Sequence, residues 1–305
     1  MANTPLKLNA VYTFSPITET IAGTVKFVGN AVTTSGDGPS YGGSPQRPYA
    51  TLDYGLTQAG VNGTVYVLPG HAENIASATA LNCDKAGQRI IGIGQGARRP
   101  KITLTTHVGA TWNVSAADVH IENFQLVGNF LNIAAAMTVA ATATGLTLKD
   151  IETRDTSVIL GALIQISLAA LASDVTIDGY KHFGIAGGLT APATNVILAA
   201  GAADRFSLTN ARINAHTSAA PVALSAAASK NVYINEVDLL NTETSAGLGI
   251  AAHNSTTGFV DNVVTVNLKN GVAGVTGTGL SIGPNVRYSN AVGAYAALYS
   301  YAADS

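Results

Sequence analysis

The sequence predicts an all-β chain, a single-stranded parallel β-helix closed at one end by a short helix. Three observations predict it. Strand-like fragments recur at a near-constant interval over residues 118–264. Within the repeat, apolar residues alternate with polar ones, without the i, i+3, i+4 spacing of helical repeats. Composition is the third: 11% of residues are charged, against about 25% in an ordinary soluble domain, while Ala, Val, Ile, Leu and 32 glycines carry the chain.

The fragments are DVHIENFQL at 118, GLTLKDIET at 145, DVTIDGYKH at 174, RFSLTNARI at 205, NVYINEVDL at 231 and, more loosely, GFVDNVV at 258. Their central apolar residues are Ile121, Leu148, Ile177, Leu208, Ile234 and Val260, separated by 27, 29, 31, 26 and 26 residues. A second strand-like piece precedes each later fragment: MTV at 137, LIQI at 163, VIL at 196, VAL at 222 and LGI at 248. Two short strands per repeat leave little room for a helix, and short strands at a fixed period signal a solenoid. Stacked coils about 4.8 Å apart place like positions in columns. One column, two residues beyond the central position, reads Asn123, Asp150, Gly179, Asn210, Glu236 and Asn262. Asn, Asp and Gly tolerate the left-handed backbone of a sharp corner, and stacked Asn side chains form ladders, so Asn123, Asp150, Gly179, Asn210 and Asn262 are the expected corner ladder.

The chain divides into four segments. Residues 1–34 form an N-terminal arm, in which LKLNAVYTF alternates Leu6, Leu8, Ala10 and Tyr12 on one face. That pattern fits a strand added to a neighbour's sheet and equally a first strand of the cap. Residues 35–60 are a Gly/Pro-rich loop and a capping helix in PYATLDYGLTQA, which covers the exposed first coil. Residues 61–287 are the β-helix, with TVYVLPG as its first strand, and residues 288–305 are a C-terminal cap or trimer-contact segment. The tyrosines gathered there, Tyr288, Tyr295, Tyr299 and Tyr301, close the last coil or pack on sister chains.

Several function classes are disfavoured. Cations are scattered without a basic stripe, so no nucleic-acid footprint is expected. Cys83 is the single cysteine, which excludes an intrachain disulfide and fits a reducing compartment. Residues 1–30 carry no secretion signal, and the uncharged run 156–173 reads as buried strands joined by a tight turn, so no membrane is expected. GIGQGA at 92 is followed by Arg98, Arg99 and Pro100 and reads as a coil corner, not a dinucleotide loop. HAE at 71 has no partner PCxxC motif, and the histidines have no metal-ligand spacing, so no metal or cofactor is expected. The coil-face acids Glu122, Asp178 and Asp261 are interrupted by Lys149, Thr209 and Asn235; Glu122 and Asp178, two coils apart, have a spacing suited to an inverting glycosidase, but read better as surface acids beside a lysine. Asp150, Glu152, Arg154 and Asp155 are the densest charged cluster, and strand alternation separates their side chains. Trp112, in ATWNV, reads as core or interface and not as a sugar platform. No catalytic residue is assigned.

SPQRPYATLDYGLTQA followed by GTVYVLPGHAENI resembles the entry segment of pectin-lyase-like right-handed β-helix proteins, where a helix precedes a strand ending in Pro-Gly. The resemblance is clear over residues 45–75 and loose to about 285. It implies the right-handed fold; the superfamily includes pectate lyases, phage tailspikes and phage structural proteins. The Ala/Thr/Ser-rich coils and short arm resemble virion proteins of tailed bacteriophages. That resemblance implies a homotrimeric head-decoration, or cement, protein on the capsid surface, assembled in the host cytoplasm, with itself and the major capsid protein as partners. Leu6, Leu8, Val11, Tyr12 and Phe14 would anchor the arm, and Tyr295, Tyr299 and Tyr301 are candidate trimer contacts. The alternative is a tailspike-type receptor-binding protein or polysaccharide depolymerase.

Overall fold

The computed structural model describes residues 23–157, 159–185, 193–242, 249–267 and 274–290. They form a parallel β-helix whose strands stack coil upon coil in a 16-stranded and an 8-stranded sheet. Each full coil has three strands, one more than the repeat suggested. Face 1 holds His120–Glu122, Thr147–Lys149 and Thr176–Asp178; face 2 holds Gln125–Gly128, Glu152–Asp155 and Lys181–Phe183; face 3 holds Trp112–Val114, Met137–Val139 and Ile164–Leu168. The additional strand follows directly on the corner column, so the sequence pattern reads straight through it. In later coils faces 1 and 2 merge into single strands such as Ser207–Ala215 and Val232–Asn241.

The central apolar residues stand in one column: Ile121 pairs with Leu148, Leu148 with Ile177, Ile177 with Leu208, Leu208 with Ile234, and Ile234 with Val260. All six are fully buried. Burying an aliphatic side chain contributes about 1.5–3 kcal/mol, and the stack repeats that gain at every coil. On face 2 the inward column runs Ile102, Leu126, Thr153, His182, Ile213 and Leu239, so it turns polar at its middle. Trp112 lies wholly inside, edge-on to Phe124 at 5.1 Å, and its Nε1–H points at the Cys83 sulfur. The 156–173 run contributes the core strand Ile164–Leu168, and among the described residues no helix is long and apolar enough to cross a membrane.

The solenoid begins earlier than residue 61. Val25–Val28 lies inside the segment assigned to the arm and pairs in parallel with Thr64–Val67, so TVYV is the second strand of face 1. The capping helix spans Leu52–Ala59 and buries Leu52, Gly55, Leu56 and Ala59, spaced along one helical face. Gly55 is needed there, because a β-carbon would stand 2.4 Å from the Val28 side chain. The Thr51 hydroxyl donates to Asp37 instead of capping, and Glu73 accepts the Leu52 N–H at 2.8 Å. Asp53 accepts the Asn82 N–H on the first strand of face 3, and Gln88 donates to the Leu56 and Gly60 carbonyls. The helix thus covers the terminal edge that an open solenoid would expose.

Candidate functional site

Face 1 carries the outward acids Glu122, Asp178 and Asp261 and the exposed rings of Tyr233 and Phe259, and it is the candidate functional surface. One outward column reads Glu122, Lys149, Asp178, Thr209, Asn235 and Asp261; its neighbour ends in Ser207, Tyr233, Phe259 and Ser281. Glu122 accepts from His120 at 3.1 Å and from Lys149 at 3.3 Å. Its partial burial works against ionisation, but His120 and Lys149 outweigh that and lower its pKa. Asp178 accepts from Asn210 at 2.6 Å and Thr209 at 2.8 Å, and these bonds, with Lys149 nearby, lower its pKa too. Glu122 and Asp178 are therefore both carboxylates at neutral pH. An inverting glycosidase needs one of the two held protonated. Asp261 accepts the Asn285 N–H at 3.0 Å and borders the corner.

Tyr233 and Phe259 pair in register and stack at 6.4 Å and 18°, with 42% and 39% of their surfaces exposed. Sequence reasoning did not single them out. The signal was present, since each precedes a central core residue by one position and so points outward.

The column Asn123, Asp150, Gly179, Asn210, Glu236 and Asn262 has φ of 64°, 51°, 71°, 52°, 57° and 49°. Glu236 takes the same left-handed turn as the others. The side chains do not bond to one another as a ladder. Asn123 donates to the Gly92 and Gly94 carbonyls and accepts from Arg99; Asn210 donates to Asp178, and Asn262 to Asn235. Asn123, Asn210 and Asn262 thus tie the corner to the preceding coil, while Asp150 bends over Gly179 in the following one. A second left-handed column was missed: Asn62, Gly87, Asp118, Gly145, Asp174, Arg205 and Asn231, three residues before the core position of each coil. It turns face 3 into face 1.

The charged cluster divides. Glu152 and Arg154 share the outer side of face 2, being two residues apart, and Glu152 also holds Arg99 at 3.3 Å and Gln125 at 2.7 Å. Asp155 turns away to Gln165, and burial pushes its carboxyl up to about 6. Asp150 stays in the corner. Outward on face 2, Lys101, Gln125, Glu152, Lys181, Arg212 and Asp238 succeed one another, so charges of both signs share the face. GIGQGA is a coil corner: strand Arg89–Gly92, a 3-10 turn Gly96–Arg98, then strand Lys101–Leu104. His71 bonds Glu73 at 3.1 Å inside the capping region. Among the described residues no three His, Cys, Asp or Glu side chains gather as a metal site would require. Leu6, Leu8, Val11, Tyr12, Phe14, Tyr295, Tyr299 and Tyr301 lie outside the described residues.

Face 3 is of another kind. Its outward column, Asn82, Asn113, Thr138, Ser167, Leu198, Ala223, Ala251 and Thr276, carries no charge. At one end Asn113 donates to Asn82 and Thr138 to Asn113; at the other Ala220, Ala223 and Ala251 pack with Leu198.

No protein-family model matches the chain, and no curated protein matches it. Among solved structures it is similar to a rhamnogalacturonan lyase, with 11% identity over 86% of this chain and 87% of that one, at a TM-score of 0.42. The assignment of a parallel β-helix rests on the strand register itself.

Proposed function

We propose that this protein is a non-catalytic structural protein of a tailed-phage virion, a homotrimer that decorates and stabilises the head. One observation carries the non-catalytic part: Glu122 and Asp178, whose spacing would suit glycoside hydrolysis, are both engaged by their neighbours, Glu122 by His120 and Lys149 and Asp178 by Thr209 and Asn210. A neutral, small-residue face 3 supports the trimer, since such a face packs closely at little desolvation cost. The phage assignment rests on the resemblance of the coils and the arm.

Two measurements test it. Labelling the protein on virions places it on head or tail. A chain lacking residues 1–22 should remain a folded trimer yet fail to join capsids; the cut stops there because Val25–Val28 belongs to the solenoid. Capsid binding by that truncation, or a wild-type monomer, overturns the reading.

The exposed Tyr233–Phe259 pair favours a second reading, a receptor-binding protein that holds a glycan. Rings beside Asn235 and Asp261 offer a stacking surface with polar neighbours. Binding of host polysaccharide that is lost in Tyr233→Ala/Phe259→Ala would support it, and release of oligosaccharide abolished in Asp178→Ala would make the protein an enzyme.

A further inference from the structure

We infer that the last coil of the solenoid presents a docking surface, and that residues 291–305 of the same chain are its occupant. The inference goes beyond the function proposed above and does not depend on it.

The core column does not close where the coils stop. Ile282 follows Val260 in register, one coil beyond it, and so takes the inward position of the column. Val260 is fully buried, while Ile282 has 46% of its surface exposed. On face 3 Val275 follows Ile250 in the same way, and it is partly buried where Ile250 is fully so. Val286 also packs on the core while staying partly open. Among the described residues no strand lies beyond this coil. Leu280–Ile282 and Arg287–Asn290 pair with Gly258–Asn267 alone, and Val275–Thr276 pairs with Ile250–Ala252 alone. Apolar side chains ringed by strand edges invite another segment, and solenoids cover such ends. The first coil is covered in that way, by Leu52 and Leu56 of the capping helix.

The chain itself supplies the occupant. Its last described strand, Arg287–Asn290, lies on the open coil, and residues 291–305 follow directly. Eleven of those fifteen residues are apolar, Tyr295, Leu298, Tyr299 and Tyr301 among them, and the first charge is Asp304. Such a segment can lie on Ile282 and Val275 without burying a charge. Fifteen residues also outrun the longest strand of a coil, which has ten. Being tethered, the segment meets the surface at an effective concentration on the order of millimolar, above that of a free partner in dilute solution. A second copy fits less well. Parallel coils extend one another head to tail, and the capping helix closes the opposite end. Tyr295, Tyr299 and Tyr301, the candidate trimer contacts, are thereby assigned to the cap.

Thiol labelling of the full chain tests this. Ile282→Cys places a thiol on the open coil. Phe259→Cys places one on the outer side of face 1, where the native ring is 39% exposed. Cys83 is buried and does not compete. Iodoacetamide should modify position 282 at least about tenfold more slowly than position 259 under native conditions. The protection should be equal at micromolar and nanomolar protein, and Leu298→Glu/Tyr299→Glu in the Ile282→Cys chain should abolish it. Equal labelling at the two positions overturns the inference, because the end is then uncovered. Protection lost on dilution overturns it too, since a second copy would be the cover. So does protection that survives Leu298→Glu/Tyr299→Glu, since residues 291–305 would not be supplying it.

Discussion

Asp118 leans over Gly145 in the coil above it: a β-carbon on Gly145 would lie 2.3 Å from Asp118 Oδ1. The same relationship holds between Asn62 and Gly87, at 2.0 Å, and between Asp150 and Gly179, at 2.5 Å. In these corners an Asn or Asp bends over the next coil, and only glycine leaves room for it. Gly145 also has φ of 75°, where an L side chain is strained. Gly145→Ala should therefore destabilise by about 1–3 kcal/mol. In the Asp118→Ala background the same change should cost less, and a double-mutant cycle in urea measures the coupling.

The core column carries the stack. Leu148→Ala removes a fully buried side chain between Ile121 and Ile177 and should cost about 2–5 kcal/mol. Thr147→Ala, one residue away on the outside of the same strand, should change stability by under about 0.5 kcal/mol. Chemical denaturation of the two variants tests the inward–outward assignment directly.

Two buried groups in adjacent coils make stability respond to pH in opposite senses. His182 is buried against Thr153, whose hydroxyl also meets Tyr180 at 2.6 Å, and burial pushes its pKa down to about 3. Its contribution is complete above the ordinary histidine value of about 6.5 and is lost as pH falls toward 3. Asp155, raised to about 6 by burial, contributes stability that is complete below about 3.9 and is lost as pH rises through 6. Between pH 4 and 6 the two offset each other. Relative to wild type, Asp155→Asn should lose thermal stability more steeply as pH drops from 7 to 4, and His182→Leu less steeply. Melting temperatures across that range check both slopes.

Glu73 anchors the capping helix. It accepts the Leu52 N–H at the helix start and bonds the buried His71, whose other ring nitrogen accepts the Asn30 N–H at 3.3 Å. Glu73→Ala should cost about 1–2 kcal/mol, as loss of a helix cap does. The loss should appear first as faster amide exchange in residues 52–59, with the later coils protected as before.

The fold was legible because a solenoid writes its contacts into its period. Ile121, Leu148 and Ile177 are neighbours in space only because they recur in sequence, and alternation alone places them inside and Tyr233 and Phe259 outside. The corner at Asn123 and Asp150 was legible for the same reason, since few residues tolerate positive φ. The third strand of each coil was not: Gln125–Gly128 follows its corner with no turn signal between them, and where faces 1 and 2 merge there is no break to see.

The sequence by itself determined the coil, its register and the residues that point inward, since these depend on local alternation and backbone chirality repeated at a fixed interval. Only the tertiary structure decided which charges meet and how they titrate. Glu122 finds Lys149 one coil away, His182 is buried against Thr153 of the preceding coil, and Asp155 is buried where its loop closes on Gln165. Ion pairing and desolvation depend on distance in space, and a repeat of unequal loops does not reveal that distance until the chain is wound.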